Sequence, residues 1–220
     1  MPYRRIKFAT DCFYHIFNRA VGNEPIFTQA KTLERALNLI DYYRVALPMS
    51  YSRFLALDPD RQKEILQSIT TEQLVEIIAF ALMPNHYHFV VRQQVDNGAE
   101  KFITNFQNGF AKYYNIKYAR NGALFSSRFK GVLIDSEEVF LHVVRYVHLN
   151  PVTSQLIEID DLSRYPHASF TSYMGQIEYS FLNKETVMNH FKTKENLQRF
   201  VFNQADYQRS LRRIKDLLLD

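Results

Sequence analysis

Residues 81–91 read ALMPNHYHFVV, and two imidazoles stand in an otherwise apolar run. If the run is a strand, alternation puts His86 and His88 on one face and Tyr87 on the other. Two imidazoles two residues apart on one face can converge on a single small ion. Neutral imidazole is a ligand for zinc, manganese, nickel and iron. Two ligands make an incomplete site, so a third must come from another element. A plainer reading stands beside this one, in which the pair is hydrogen-bonded and half exposed and holds no ion. Either way the rings need partners, because an unpaired polar group among apolar neighbours costs about 1–3 kcal/mol.

A second stretch offers that third ligand. In HVVRYVHLNP, residues 142–151, His142, Tyr146 and Asn150 recur at i, i+4 and i+8 and stack on one side of a helix. Phe140, Val143, Val144 and Val147 fall mostly on the other side, where they seal a core. Asn150 carries a side-chain carbonyl oxygen one turn beyond Tyr146, a candidate metal ligand beside the histidines. The alternatives are a packing tyrosine with its hydroxyl at the surface and an asparagine that closes a helix before proline. His142 and His148 read as structural or supporting, and His15, His167 and His190 as structural.

The elements that must position these residues follow from pattern. Residues 11–22 form a first strand with Phe13, His15 and Phe17 on one face and Tyr14, Ile16 and Asn18 on the other. Residues 28–47 form a helix, with Thr28 as cap and Pro48 beyond its end. Residues 49–72 are more polar and read as an insertion, with a short helix capped by Asp58 and started by Pro59. Residues 73–83 are a strand that turns at Pro84–Asn85 into its hairpin partner, 86–93. Residues 97–118 are a second long helix on which Phe102, Phe106, Phe110 and Tyr113 or Tyr114 recur at helical spacing. A basic, glycine-bearing loop, ARNGALFSSRFKG, leads to a short strand at 131–135. The helix 136–150 is capped by Ser136, favoured by Glu137 and Glu138 at its positive end, and stopped by Pro151. The first six elements match the split βαβ, ferredoxin-like pattern. The expected fold is therefore α+β: an antiparallel sheet, an added helix and a helical C-terminal extension. Residues 1–152 make the main domain. Residues 153–220 make an accessory region with helices at 184–191, 194–202 and 206–219.

Bulk composition narrows the setting. The chain has 220 residues, 46% of them hydrophobic and 23% charged, so global disorder is excluded. A net charge of +4 and a pI near 9.0 are consistent with a polyanionic partner. Cys12 is the single cysteine, so neither a disulfide framework nor a thiolate zinc site can be built. No apolar run spans a bilayer, and the opening MPYRRIKFAT has no apolar signal core. A cytoplasmic protein with no membrane association is the expectation.

Taken in order, MPNHYHFVV, GALFSSRFKGVLI and RYVHLNPV resemble the HUH single-strand endonucleases, and within them the single-tyrosine transposases of insertion sequences. The branch they look most like is the REP-associated tyrosine transposases. The match runs from about Tyr14 to Val152, and YPHASFTSYMG, residues 165–175, resembles longer members. The resemblance implies a ferredoxin-like fold, a divalent metal (Mg²⁺ or Mn²⁺) and single-stranded or hairpin DNA as partner. By position, His86 and His88 become the metal pair, Asn150 the further ligand and Tyr146 the nucleophile. The implied activity is nicking and joining of single-stranded DNA through a 5′-phosphotyrosine, as a transposase or a domesticated one. A homodimer is left open, as is whether Tyr146 serves its own chain's site or a partner's. The insertion and the C-terminal region lie outside the minimal core of that family.

DNA must also be held. Lys112, Lys117, Arg120, Arg128, Lys130 and Arg145 cluster between the second long helix and the tyrosine helix, and Arg19, with Arg4 and Arg5, extends the track. Arg128 and Lys130 flank Phe129 as a phosphate clasp with an aromatic beside it. The rivals are a non-catalytic nucleic-acid-binding module on the same fold and a metal-dependent hydrolase that uses water.

Overall fold

The computed structural model describes residues 7–68, 72–126 and 128–203. Four strands form one antiparallel sheet: β1 (Phe13–Arg19), β2 (Val75–Met83), β3 (His86–Gln93) and β4 (Lys130–Ile134), in the order β2-β3-β1-β4. This is the strand order of the split βαβ pattern, and the α+β class is as expected. The Pro84–Asn85 turn joins β2 to β3 as a hairpin, with Ala81 opposite His88 and Met83 opposite His86. On the other side of β3, Phe17 stands opposite His88, and Arg19 opposite His86. Lys130 of β4 is in turn opposite Phe17.

Two helices cover one face of the sheet. They are α1 (Ala30–Tyr43) and α4 (Gly98–Lys117), the fourth helix in chain order after the short α2 (Tyr51–Leu55) and α3 (Pro59–Ser68) of the insertion. The recurring Phe102, Phe106 and Phe110 of α4 are fully buried. Phe89 of β3 lies with its ring 5.7 Å from Phe102 and 5.4 Å from Phe106. The close start of α4 requires glycine at 98, where a Cβ would lie 2.2 Å from the carbonyl oxygen of Leu74. The insertion is not set apart from this core, since Phe54 and Ile65 are buried in it.

The opposite face is covered by α5 (Glu137–Thr153). Its cap is Ser136, which accepts a hydrogen bond from the Val139 amide, as expected. Ala79 and Ala81, small residues on the β2 positions that share this face, allow the helix to approach closely. Pro151 does not stop α5, which runs on to Thr153. A proline in the last turn removes only one intrahelical bond, and the Ser154 amide still reaches the Asn150 carbonyl at 3.0 Å. Thr28 likewise is not the cap of α1. The helix starts after Gln29, and the Thr28 hydroxyl turns back to the Pro25 carbonyl at 3.3 Å.

The region after α5, expected as an accessory, lies along the edge of β2. Ala168 bridges Ala81, and Leu182 bridges Ile77. The Leu82 amide donates to His167 O at 2.8 Å, and the Ser169 amide donates to Phe80 O at 2.9 Å. The otherwise open edge of β2 is thus paired, which removes a template for unwanted strand addition. Among the described residues, three short α-helices follow: α6 (Phe170–Tyr173), α7 (Glu185–Phe191) and α8 (Lys194–Phe202). Phe170, Val187, Leu197 and Val201 are buried in the same core as the sheet. The expected helix at 206–219 lies outside the described residues, as do Arg4 and Arg5. No helix among the described residues is long and apolar enough to cross a membrane.

Candidate metal and DNA site

Strand alternation places Tyr87 and Phe89 toward α4, so His86 and His88 point to the α5 face. Their rings lie 5.1 Å apart at 84°. Tyr146 of α5 meets them there. Its ring is 5.5 Å from that of His88 and nearly perpendicular to it. The course of α5 brings Asn150 into register as well. Phe140, near the helix start, packs on Phe13 at 4.9 Å, at the far end of β1 from Arg19. The helix therefore runs toward the His86 end of β3. One turn from Tyr146 to Asn150 rises ~6 Å, and the step from His88 to His86 covers ~6.6 Å, so the two pairs advance together. Asn150 is buried and donates its amide Nδ2 to the Tyr146 carbonyl at 3.0 Å.

Each imidazole has an orienting partner. His86 Nδ1 lies 2.6 Å from Asn85 Oδ1. An amide oxygen only accepts, so Nδ1 of this ring carries a proton. His88 Nδ1 lies 2.9 Å from His15 Nε2. His15 stacks on Phe17 at 4.8 Å and stands edge-on to Tyr146 at 5.9 Å. Burial holds His88 well below the ordinary imidazole range, helped by the neighbouring His15, His86 and Arg19. Burial alone takes His15 down to about 3. Both rings are neutral at pH 7, the form that ligates a metal.

The site grades from closed to open. His15, His88 and Tyr146 are 1%, 2% and 7% exposed, whereas His86 is half-buried and Arg19 is exposed. Among the described residues no group of three or more His, Cys, Asp or Glu side chains could hold a metal ion. A divalent ion here would rest on His86, His88 and the amide oxygen of Asn150, completed by water or phosphate oxygens. Two imidazoles and an amide oxygen fit that role, and the number of imidazoles suits Mn²⁺ better than Mg²⁺.

The basic track divides. Lys130 sits 5.6 Å over the Phe17 ring, on the face of the histidines, and Arg19 stands opposite His86 at the open rim. Arg128 pairs with Glu100 in the first turn of α4, and Phe129 is buried rather than offered for stacking. Lys112, Lys117 and Arg120 belong to α4 and the segment after it, on the opposite face. Arg120 pairs with Glu24 at 2.9 Å, and Lys117 lies over the Tyr113 and Tyr118 rings.

Arg145 departs from its expected place on the track. It is fully buried, bonds His142 Nδ1 at 2.8 Å, and stacks on Phe200 of α8 at 4.6 Å. The reason is rotation along the helix. Arg145 lies one residue, ~100°, round the helix from Tyr146, so it faces α8 beside His142, whose ring is 6.3 Å from Phe200, while Tyr146 faces the sheet. Of the expected stripe of His142, Tyr146 and Asn150, His142 thus belongs with Arg145 and Phe200. His148 is a structural histidine, its Nε2 3.0 Å from Ser169 Oγ in the strap along β2. The residue that sequence reasoning undervalued is His15. Its face was legible, but its partner depended on the register between β1 and β3.

The sequence model of the IS200-like transposases matches residues 40–150, which include His86, His88, Tyr146 and Asn150. Among solved structures, a REP-associated tyrosine transposase bound to a REP hairpin matches with a TM-score of 0.51 at 14% identity. That match covers 83% of this chain and 98% of the other, a likeness of fold. The tRNA(His) guanylyltransferase of Saccharomyces cerevisiae matches at a TM-score of 0.35 and 10% identity, over 90% of this chain and 80% of that one, too loosely to support any argument. No curated protein matches the chain.

Proposed function

This chain belongs to the IS200-like transposase family, and from that premise we propose that it nicks and rejoins single-stranded, hairpin-bearing DNA with Tyr146 as nucleophile. The observation that carries the reading is the meeting of the Tyr146 phenol with the His88 imidazole, 5.5 Å between rings, beside His86 within one chain. Neither rival accounts for it. A binding module has no use for a tyrosine packed against paired imidazoles, and a water-using hydrolase does not need the phenol.

Tyr146 is held by the α5 backbone and by the imidazole edges around it, so few rotations remain to be frozen when a phosphate arrives. Its hydroxyl attacks the scissile phosphorus in line. One O–P bond forms as the bond to the 3′ oxygen breaks, which leaves a 5′-phosphotyrosine and a free 3′-OH. The hydroxyl gives up one proton and the departing 3′ oxygen takes one up. The linkage energy stays in the covalent intermediate, and a 3′-OH later reverses the step to join a strand. His86, His88 and Asn150 would hold a Mg²⁺ or Mn²⁺ ion, which when bound withdraws charge from the phosphate and orients it. Arg19 and Lys130 stand where the DNA backbone enters, at the open rim by His86. The closed interior keeps water from the phosphotyrosine and strengthens each charge interaction inside.

The test is a labelled hairpin-bearing single strand incubated with the protein and Mn²⁺, followed by a denaturing protein gel. A labelled covalent adduct that vanishes in Tyr146→Phe is the expected result. Cleavage that survives Tyr146→Phe would assign the site to a hydrolase, and binding without cleavage would assign the fold to a module.

A further inference from the structure

The contact between His88 Nδ1 and His15 Nε2 at 2.9 Å holds a single proton, since one ring nitrogen must donate and the other accept at that distance. Where that proton sits decides what His88 can do. On His15 Nε2, it forces the other His88 nitrogen to carry a hydrogen, and that nitrogen cannot ligate. On His88 Nδ1, it leaves His88 Nε2 as a lone pair aimed away from β1. We infer that His15 is a positioning residue: it accepts the Nδ1 proton of His88 and so fixes the tautomer and ring plane that present Nε2 to the cation. The inference rests on the metal reading above and adds a residue to it.

Three observations carry it. His15 is 1% exposed, so it cannot touch DNA, yet it lies within one hydrogen bond of a candidate ligand. Its other nitrogen, Nδ1, is buried with no hydrogen-bond partner among the described residues. The His88 contact is therefore the sole hydrogen bond that sets its tautomer. Finally, the arrangement completes a symmetry of roles. His86 is oriented through Nδ1 by Asn85 from its own turn, and His88 through Nδ1 by His15 from the neighbouring strand. Partners of this kind typically change metal affinity 10–100-fold when removed.

The experiment titrates the full chain with Mn²⁺ and no DNA, following free Mn²⁺ by electron paramagnetic resonance. The proteins are wild type, His15→Leu and His15→Gln, each checked for folding by thermal melts. Leucine cannot accept a proton, whereas the glutamine amide oxygen can reach the place of Nε2. The expected order is wild type close to His15→Gln, with His15→Leu about 10–100-fold weaker. A purely packing role predicts the reverse, because a buried leucine is tolerated better than a buried glutamine. Wild-type affinity in His15→Leu, or equal weakening in both variants, overturns the inference while the metal reading stands. No Mn²⁺ binding by wild type overturns both. A second measurement needs no variant. With Mg²⁺ bound, long-range ¹H–¹⁵N spectra should show His88 protonated at Nδ1, and a proton on its Nε2 refutes the assignment.

Discussion

The two faces of the sheet are built from the same four strands and do opposite work. Toward α4, β3 presents Tyr87, Phe89 and Val91, all fully buried, and they meet a helix that offers Phe102, Phe106 and Phe110. Toward α5, the same strand presents His86, His88 and Val90 and meets a helix carrying Tyr146, Asn150, Arg145 and His148. The first is closed to water and held by apolar area, whereas the second opens at the His86 rim and adds hydrogen bonds between polar groups to its apolar contacts. Apolar packing tolerates small rearrangements and resists loss of volume. A buried polar network tolerates neither a lost partner nor a gained charge. One face supplies the stability that lets the other keep imidazoles and a phenol in fixed positions.

That contrast can be broken in graded ways. The largest effect is expected for Tyr146→Phe, which should reduce the DNA adduct by on the order of 10⁴-fold or more while leaving the urea midpoint near that of wild type. An unfolded Tyr146→Phe would mean that the phenol is structural. Next is Phe106→Ala on the opposite face, which removes a fully buried ring and should cost about 3–5 kcal/mol in denaturant unfolding. Adduct formation per folded molecule should be unchanged. A loss of chemistry at retained stability would show that the two faces are not separable.

The α5 face should also be the acid-sensitive one. Burial lowers His148 from 6.5 to about 3. Below pH 6.5 the unfolded chain takes up a proton that the folded one refuses, so stability falls as pH falls through the window from 6.5 to about 3. At pH 5 the loss from this residue is about 2 kcal/mol. His148→Gln keeps a donor for Ser169 and does not titrate, so its urea midpoint should fall less between pH 7 and pH 5. Parallel pH profiles for the two proteins would remove His148 as a source. The smallest effect is expected at the rim. Lys130→Ala should weaken DNA binding several-fold and reduce the salt slope by about one, with the adduct yield at saturating DNA intact. An unchanged salt slope would take Lys130 off the DNA path.

Much of this was legible in the sequence because it depends on local period. Alternation alone sent His86 and His88 to one side of β3 and Tyr87 to the other, and helical spacing alone set Phe102, Phe106 and Phe110 on one side of α4. Ser136 and Asp58 worked as caps because capping is a matter of three or four neighbouring residues. The candidate ligands and the tyrosine were named from residue type, spacing and family likeness. What escaped was whatever depended on distant partners. Arg145 reads as a surface charge until α8 is laid over it. The strap from Tyr165 to Ser169 reads as loop until its backbone is paired with β2.

Period and residue type thus determined which side chains share a face, and that much is a property of the backbone geometry of single elements. Tertiary structure decided which faces meet and in what register. Only the pairing of Phe17 with His88 across β1 and β3 puts His15 within a hydrogen bond of a candidate ligand. A shift of one residue would turn that imidazole to the other side of the sheet. The register is chosen by the burial of all the strands together, which no stretch of the chain contains by itself.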